Sequence, residues 1–320
     1  MRIVAFSVCC LTVFLSSPGL AWGIKGHTII GQAAVAHLPA DLPAFVRTPA
    51  AKDEIVYLQA EEDRLKIGEA DERAWYAQWP PDHYVDVGDD ETIGGIVRLD
   101  ALPATREAFI LALSRAGKNP YKFGFVPYAV LEGYEQVRSD FALWRLAVAD
   151  ARLRSGSFRS AARTEVGRRE ALTIHDIGIF SHFVGDASQP LHVSVHYNGW
   201  GKYPNPNGFS QARNTHAEFE DDFVAEYLDA AAVTPLVGAS SNLARVPLAQ
   251  IQAYIASSAA QVGPFYELKK RGAFSLHDRA SSVHREGVRF TATRLAAGAA
   301  MLDSLIETAW RTSAGMKFFD

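Results

Sequence analysis

An all-α protein folded as a single compact domain of many helices is the class this sequence predicts, on three observations. Apolar residues recur at three- and four-residue steps through several long segments. Strand-like alternation is confined to two short stretches, and no repeat, low-complexity tract or Ser/Gly linker divides the chain. With 320 residues, 48% hydrophobic and 21% charged, there is ample chain for a sizeable core. The same composition excludes a disordered, collagen-like or coiled-coil protein.

The first segment lies apart from that domain. Residues 1–21 carry Arg2, an apolar stretch from Ile3 to about Leu15, and small residues at Gly19 and Ala21. That is a secretory signal pattern, with an apolar core too short to span a membrane. Cleavage after Ala21 makes Trp22 the first residue and removes both cysteines, Cys9 and Cys10. No asparagine begins an Asn-x-Ser/Thr sequon. Together these features point to a secreted or periplasmic bacterial protein, with residues 22–320 as its working domain.

Along that domain, helical periodicity covers 27–38, 104–116, 127–154, 165–187, 213–232, 247–271 and 280–312. Pro103 is placed in the first turn of the second segment, and Pro190 lies beyond the end of the fourth. The strand candidates are 83–87 and 94–99. Residues 196–212, rich in Gly, Pro and Asn, read as an irregular loop. Downstream of residue 21 nothing is apolar enough for a membrane span, and no protein partner is evident.

A net charge of −4, with no long Lys/Arg run, excludes a basic nucleic-acid scaffold. The chemistry resides in ten histidines, three groupings of which are accompanied by carboxylates. His182 and Asp186 stand four apart on one helix face, and His192 follows the proline that ends that helix. His216 and Glu220 repeat the four-residue spacing. Asp71 and His83 lie upstream, at the two ends of a short excursion. Taken singly, each pair is commonly a solvated helix face. In combination they favour a metal site, and imidazole with carboxylate is the donor set of zinc.

The order Trp22, His27, Asp71, His83, His182-x-x-x-Asp186, His192, His216-x-x-x-Glu220 resembles the S1/P1 nuclease family of the zinc-dependent phospholipase C/P1 nuclease superfamily. The run Gly185-Asp186 to Gln189-Pro190-Leu191-His192 is its most specific piece, and the step from Trp22 to His27 is similar to the nuclease branch. The resemblance implies three Zn²⁺ ions. Trp22, through its free α-amine and its carbonyl, and His27 would hold one. Asp71, His83 and His182 would hold a second, with Asp186 bridging the two, and His192, His216 and Glu220 a third. Because an amide is a poor ligand, signal cleavage would switch the site on.

The implied activity is that of a hydrolase acting on ester bonds, an endonuclease cleaving single-stranded DNA or RNA to 5′-nucleotides. A water held between the two buried ions, its pKa lowered to about 7, would be the nucleophile, and Asp71 could also orient it. Tyr84 and Asp86 match the positions that stack a base and bond its edge; stacking is worth about 1–3 kcal/mol per base and is sequence-tolerant. Tyr197, Trp200, Tyr203 and Phe209 form a further wall or merely anchor their loop. Departures from the nuclease pattern are Glu220 in place of Asp, Asn198-Gly199-Trp200-Gly201 in place of Gly-Gly-Asn, and a basic Arg73 two residues after Asp71. The alternative is a zinc-dependent phospholipase C that cleaves phospholipid headgroups, its loop aromatics cupping choline. A non-catalytic metal-binding protein is the third reading. His175-Asp176 mimics an HD phosphohydrolase dyad without its companion residues, and His37, His196, His277 and His284 receive no role.

Overall fold

The computed structural model describes residues 22–65, 80–240 and 247–317. Residues 1–21, expected to be a signal segment, and Asp71 and Arg73 lie outside the described residues. The chain is all-α, as its periodicity predicts, with strand limited to one small hairpin among the described residues.

Helix α1 (Gly23–His37) buries Ile29, Ile30, Ala33 and Ala34 along one side. Helix α2 (Pro49–Leu58) begins where the Thr48 hydroxyl accepts the Ala51 amide at 3.1 Å, with Pro49 in the first turn. The single turn α3 (Glu61–Arg64) follows directly and turns Glu62 and Asp63 inward. Strands β1 (Thr92–Ile93) and β2 (Val97–Arg98) pair antiparallel, Ile93 opposite Val97. Stretch 94–99 is thus a strand only at its centre. Stretch 83–87 is not one, because its amides serve tertiary partners: Val85 donates to the His192 carbonyl and Asp86 to that of Phe123, each at 2.8 Å.

Helix α4 (Arg106–Arg115) starts behind Thr105, whose hydroxyl accepts the Ala108 amide at 3.2 Å. Pro103 therefore lies ahead of the cap rather than in the first turn; its carbonyl accepts the Tyr128 hydroxyl at 2.9 Å. Helices α5 (Val126–Leu153) and α6 (Gly156–Asp186) form a long hairpin. Helix α6 begins well before the expected residue 165, because Gly156-Ser157-Phe158-Arg159-Ser160 holds a single apolar side chain and so carries no apolar stripe to betray it.

The expected helix 213–232 is broken. It consists of α7 (Thr215–Ala217), a π-helical turn Glu218–Phe223, α8 (Val224–Tyr227) and α9 (Ala230–Val233). Asp229 stops α8 by capping α9, accepting the Ala232 amide at 2.8 Å. The expected helix 247–271 is likewise divided, into α10 (Pro247–Ala259) and α11 (Val262–Lys270). Helix α12 (Ser282–Ser313) runs across α1, α5 and α6, burying Leu295, Leu302, Leu305 and Ile306 among them. No described helix is long and apolar enough to cross a membrane.

Candidate metal centre

The centre forms where the C-terminal end of α6 meets α1. Contact there is close because Gly185 is small: a Cβ on it would sit 3.1 Å from His27 Nδ1; where α6 crosses α2, one on Gly178 would sit only 2.5 Å from Leu58 Cβ. Three groups of histidine and carboxylate converge, with ligand atoms close enough in each to share an ion. The first is His27, Asp63 and His182; the second His83, His182 and Asp186; the third His192, His216 and Glu220.

Asp186 ties the groups together. Its Oδ1 lies 3.4 Å from His27 Nε2 and 3.9 Å from His192 Nδ1, and its Oδ2 lies 3.0 Å from His83 Nδ1 and 3.3 Å from His182 Nε2. The His27 and His182 rings stack, centroids 4.0 Å apart. Asp63 Oδ2 is 3.7 Å from His27 Nε2, and its Oδ1 is 3.8 Å from His182 Nε2. In the third group Glu220 Oε2 is 2.8 Å from His216 Nε2 and 3.5 Å from His192 Nε2. The π-helical turn that carries Glu220 is a feature often found at functional sites.

Backbone carbonyls decide which way three of these rings point. His182 Nδ1 donates to the Gln59 carbonyl at 2.8 Å, His192 Nδ1 to that of His83 at 2.7 Å, and His216 Nδ1 to that of Tyr197 at 3.0 Å. A carbonyl cannot donate, so each Nδ1 carries the hydrogen and each Nε2 is left to face inward, where it can offer a lone pair to a cation. His192 Nε2 and His216 Nε2 then face each other at 3.0 Å. Two lone pairs at that distance repel unless a cation lies between them. Both ring nitrogens of His27, Asp186 Oδ1 and Glu220 Oε1 are buried without a hydrogen-bond partner among the described residues. Such orphaned acceptors, in an imidazole and carboxylate set, fit zinc.

The electrostatics agree. Burial, reinforced by the facing His182, lowers the pKa of His27 and keeps it neutral. Burial opposes ionisation of Asp186, but His182 and His192 hold its carboxyl well below the usual range. Burial also opposes ionisation of Glu220, which His216 and His192 overcome. Burial depresses the His192 ring, yet Asp186 and then Glu220 outweigh it and lift the ring to about 9.

Of the expected ligands, His27, His83, His182, Asp186, His192, His216 and Glu220 are brought together. Asp71 lies outside the described residues. Asp63, which sequence reasoning missed, supplies the carboxylate of the first group; its only signal is an acidic Glu61-Glu62-Asp63 run directly after the Gln59 that holds His182. Gln189 is a second missed residue: its amide nitrogen donates to Glu220 Oε2 at 3.0 Å. Trp22 is wholly buried, its indole N–H donating to the Gly185 carbonyl at 3.0 Å and the Ser188 hydroxyl at 2.8 Å. Its carbonyl accepts the Gly26 amide at 3.1 Å.

Tyr84 and Asp86 follow His83 directly, at the edge of the centre. The Tyr84 hydroxyl donates to the Tyr121 carbonyl at 3.2 Å, and burial lifts the Asp86 carboxyl to about 7. The loop aromatics divide into two pairs. Tyr197 and Tyr203 are exposed, and Tyr203 lies within the electrostatic reach of Asp86 and Asp89. Trp200 stacks on His196 at 3.6 Å and packs on the buried Phe209, so this pair anchors the loop. The exposed His175 pairs only with the adjacent Asp176, at 2.8 Å, and belongs to none of the three groups.

No family model matches this chain, and no curated protein matches it. Among solved structures, the chain is similar to the crystal structure of Clostridium perfringens alpha-toxin from an avian strain, at 13% identity and a TM-score of 0.39, over 94% of this chain and 67% of that one.

Proposed function

We propose that this chain is an exported zinc-dependent phosphodiesterase, a hydrolase whose three groups hold three ions. The observation that carries the reading is the set of Nε2 lone pairs aimed inward at Asp186 and Glu220 by backbone carbonyls. When bound, zinc supplies positive charge to a phosphoryl group and makes water acidic enough to ionise near neutral pH. The chain's own residues do the rest. His27 and Asp63 would hold one ion and His83 and His182 the next, with Asp186 beside both, and His192, His216 and Glu220 would hold the third, while backbone carbonyls and Gln189 fix their orientation. Trp22 adds its amine to the first group once the leader is removed. Asp71 retains the role of water orientation.

Two substrate classes fit this chemistry. Single-stranded nucleic acid would be carried by Tyr84, as the residue to stack a base, and by Asp86, as the residue to bond a base edge, its carboxyl lifted by burial to about 7. A phospholipid headgroup is favoured by the rim: exposed Tyr197 and Tyr203 beside Asp86 and Asp89 suit a quaternary ammonium and repel a polyanion. The acidic rim tilts the balance to the phospholipid. The test is hydrolysis of single-stranded DNA, RNA and phosphatidylcholine by protein beginning at Trp22, with metal content measured in parallel. Turnover of phosphatidylcholine alone establishes the headgroup reading, and release of 5′-nucleotides the nuclease reading. Bound zinc without turnover of either leaves a non-catalytic metal protein.

A further inference from the structure

We propose that the tip of the α5–α6 hairpin is a docking element for anionic phospholipid surfaces, separate from the metal centre. Leu153 and Phe158 flank the connection and are 85% and 71% exposed. A pair of large apolar side chains so exposed at the end of a helical hairpin contributes little to the core. Around them Arg152, Arg159 and Arg163 are exposed, with Arg168 further along α6, and no ion pair engages these four among the described residues. Three of them line a recess between the helices whose floor is apolar, made by Val148, Ala151 and Val166.

Charge and apolarity together select the occupant. Nucleic-acid phosphates would use the arginines but gain nothing from a bare leucine, and a second copy of the tip would repel the first. The boundary between headgroups and acyl chains accepts both, taking Leu153 and Phe158 inward and pairing lipid phosphates with the guanidinium groups. Helix α6 separates Phe158 from His182 by about 36 Å at 1.5 Å per residue, so docking leaves the centre untouched.

Co-sedimentation of the zinc-loaded mature chain with vesicles in the cold, with headgroup release measured in parallel, tests the proposal. Vesicles of phosphatidylcholine with phosphatidylglycerol are expected to bind at least tenfold more tightly than phosphatidylcholine alone, and less tightly at high salt. L153D/F158D and R152Q/R159Q/R163Q should each lose at least tenfold in binding while melting like the parent; F158S replaces the first should it fail to fold. Absence of a preference for phosphatidylglycerol, or undiminished binding by the L153D/F158D variant, overturns the proposal. So does tight binding of single-stranded DNA that the R152Q/R159Q/R163Q variant loses and L153D/F158D keeps, which marks a nucleic-acid site. A dimer in the ultracentrifuge that L153D/F158D abolishes overturns it as well, in favour of self-association.

Discussion

Asp186 approaches four histidines within 3.9 Å, more than any other carboxylate of the centre. Asp186→Asn is accordingly expected to reduce both zinc content and turnover more than Glu220→Gln, which disturbs only the third group; metal analysis alongside initial rates checks the order. Gln189→Ala removes a support of a ligand rather than a ligand, and about a 10–100-fold loss in affinity for the third ion is expected. Asp63→Asn and Asp71→Asn form a second comparison: loss of one equivalent of zinc in the first and not the second would assign the carboxylate to Asp63. Asp86, lifted to about 7 by burial, is expected to contribute a transition near neutral pH to the profile of kcat/KM, and Asp86→Asn should flatten it.

Helix α12 carries Asp303 fully buried, with neither carboxylate oxygen hydrogen-bonded among the described residues. Burial, with Glu307 one turn on, lifts its carboxyl to about 8. Its folded pKa is above the unfolded value, so its contribution to stability is complete below about pH 4 and is lost as pH rises through about 8. Asp303→Asn should therefore raise the melting temperature at pH 9 relative to the parent, and the gain should shrink towards pH 4. The crossing of α6 over α2 offers another test. An alanine in place of Gly178 gains up to about 1 kcal/mol of helix propensity. It also forces a Cβ against Leu58 Cβ, which cannot swing away, and overpacking of this kind costs about 1–3 kcal/mol. Net destabilisation is the expected result, read by denaturant unfolding.

At the scale of the molecule, the ligands come from α1, α3, the turn before β1, α6 and the turn after it, and the region around α7, so an ion there clamps elements distant in sequence. Chelation with EDTA is expected to lower the thermal midpoint and to make it depend on zinc concentration, because the unfolded chain holds no preformed site. A variant with one methionine before Trp22 should fold like the parent yet bind about one ion fewer and lose activity. Full activity in that variant would remove the terminal amine from the centre.

The helical class and the pairs His182 with Asp186 and His216 with Glu220 were legible because they rest on local spacing, each pair sharing a face wherever a helix forms. His27, His83 and His192 have no such spacing and were assigned as ligands only through the resemblance of the whole pattern. The breaks in 213–232 and 247–271 were not legible, since the apolar pattern continues through them while caps and turns stop the helix. Periodicity by itself determined that this chain packs as helices, and the spacing of histidine with carboxylate made those residues the candidates for its chemistry. Only the tertiary structure decided that Asp63 joins His27, that Trp200 anchors its loop while Tyr203 faces the rim, and that carbonyls far along the chain aim the imidazoles. The physical reason is that a lone pair's direction depends on a hydrogen bond to a distant backbone, and no spacing along the sequence encodes that bond.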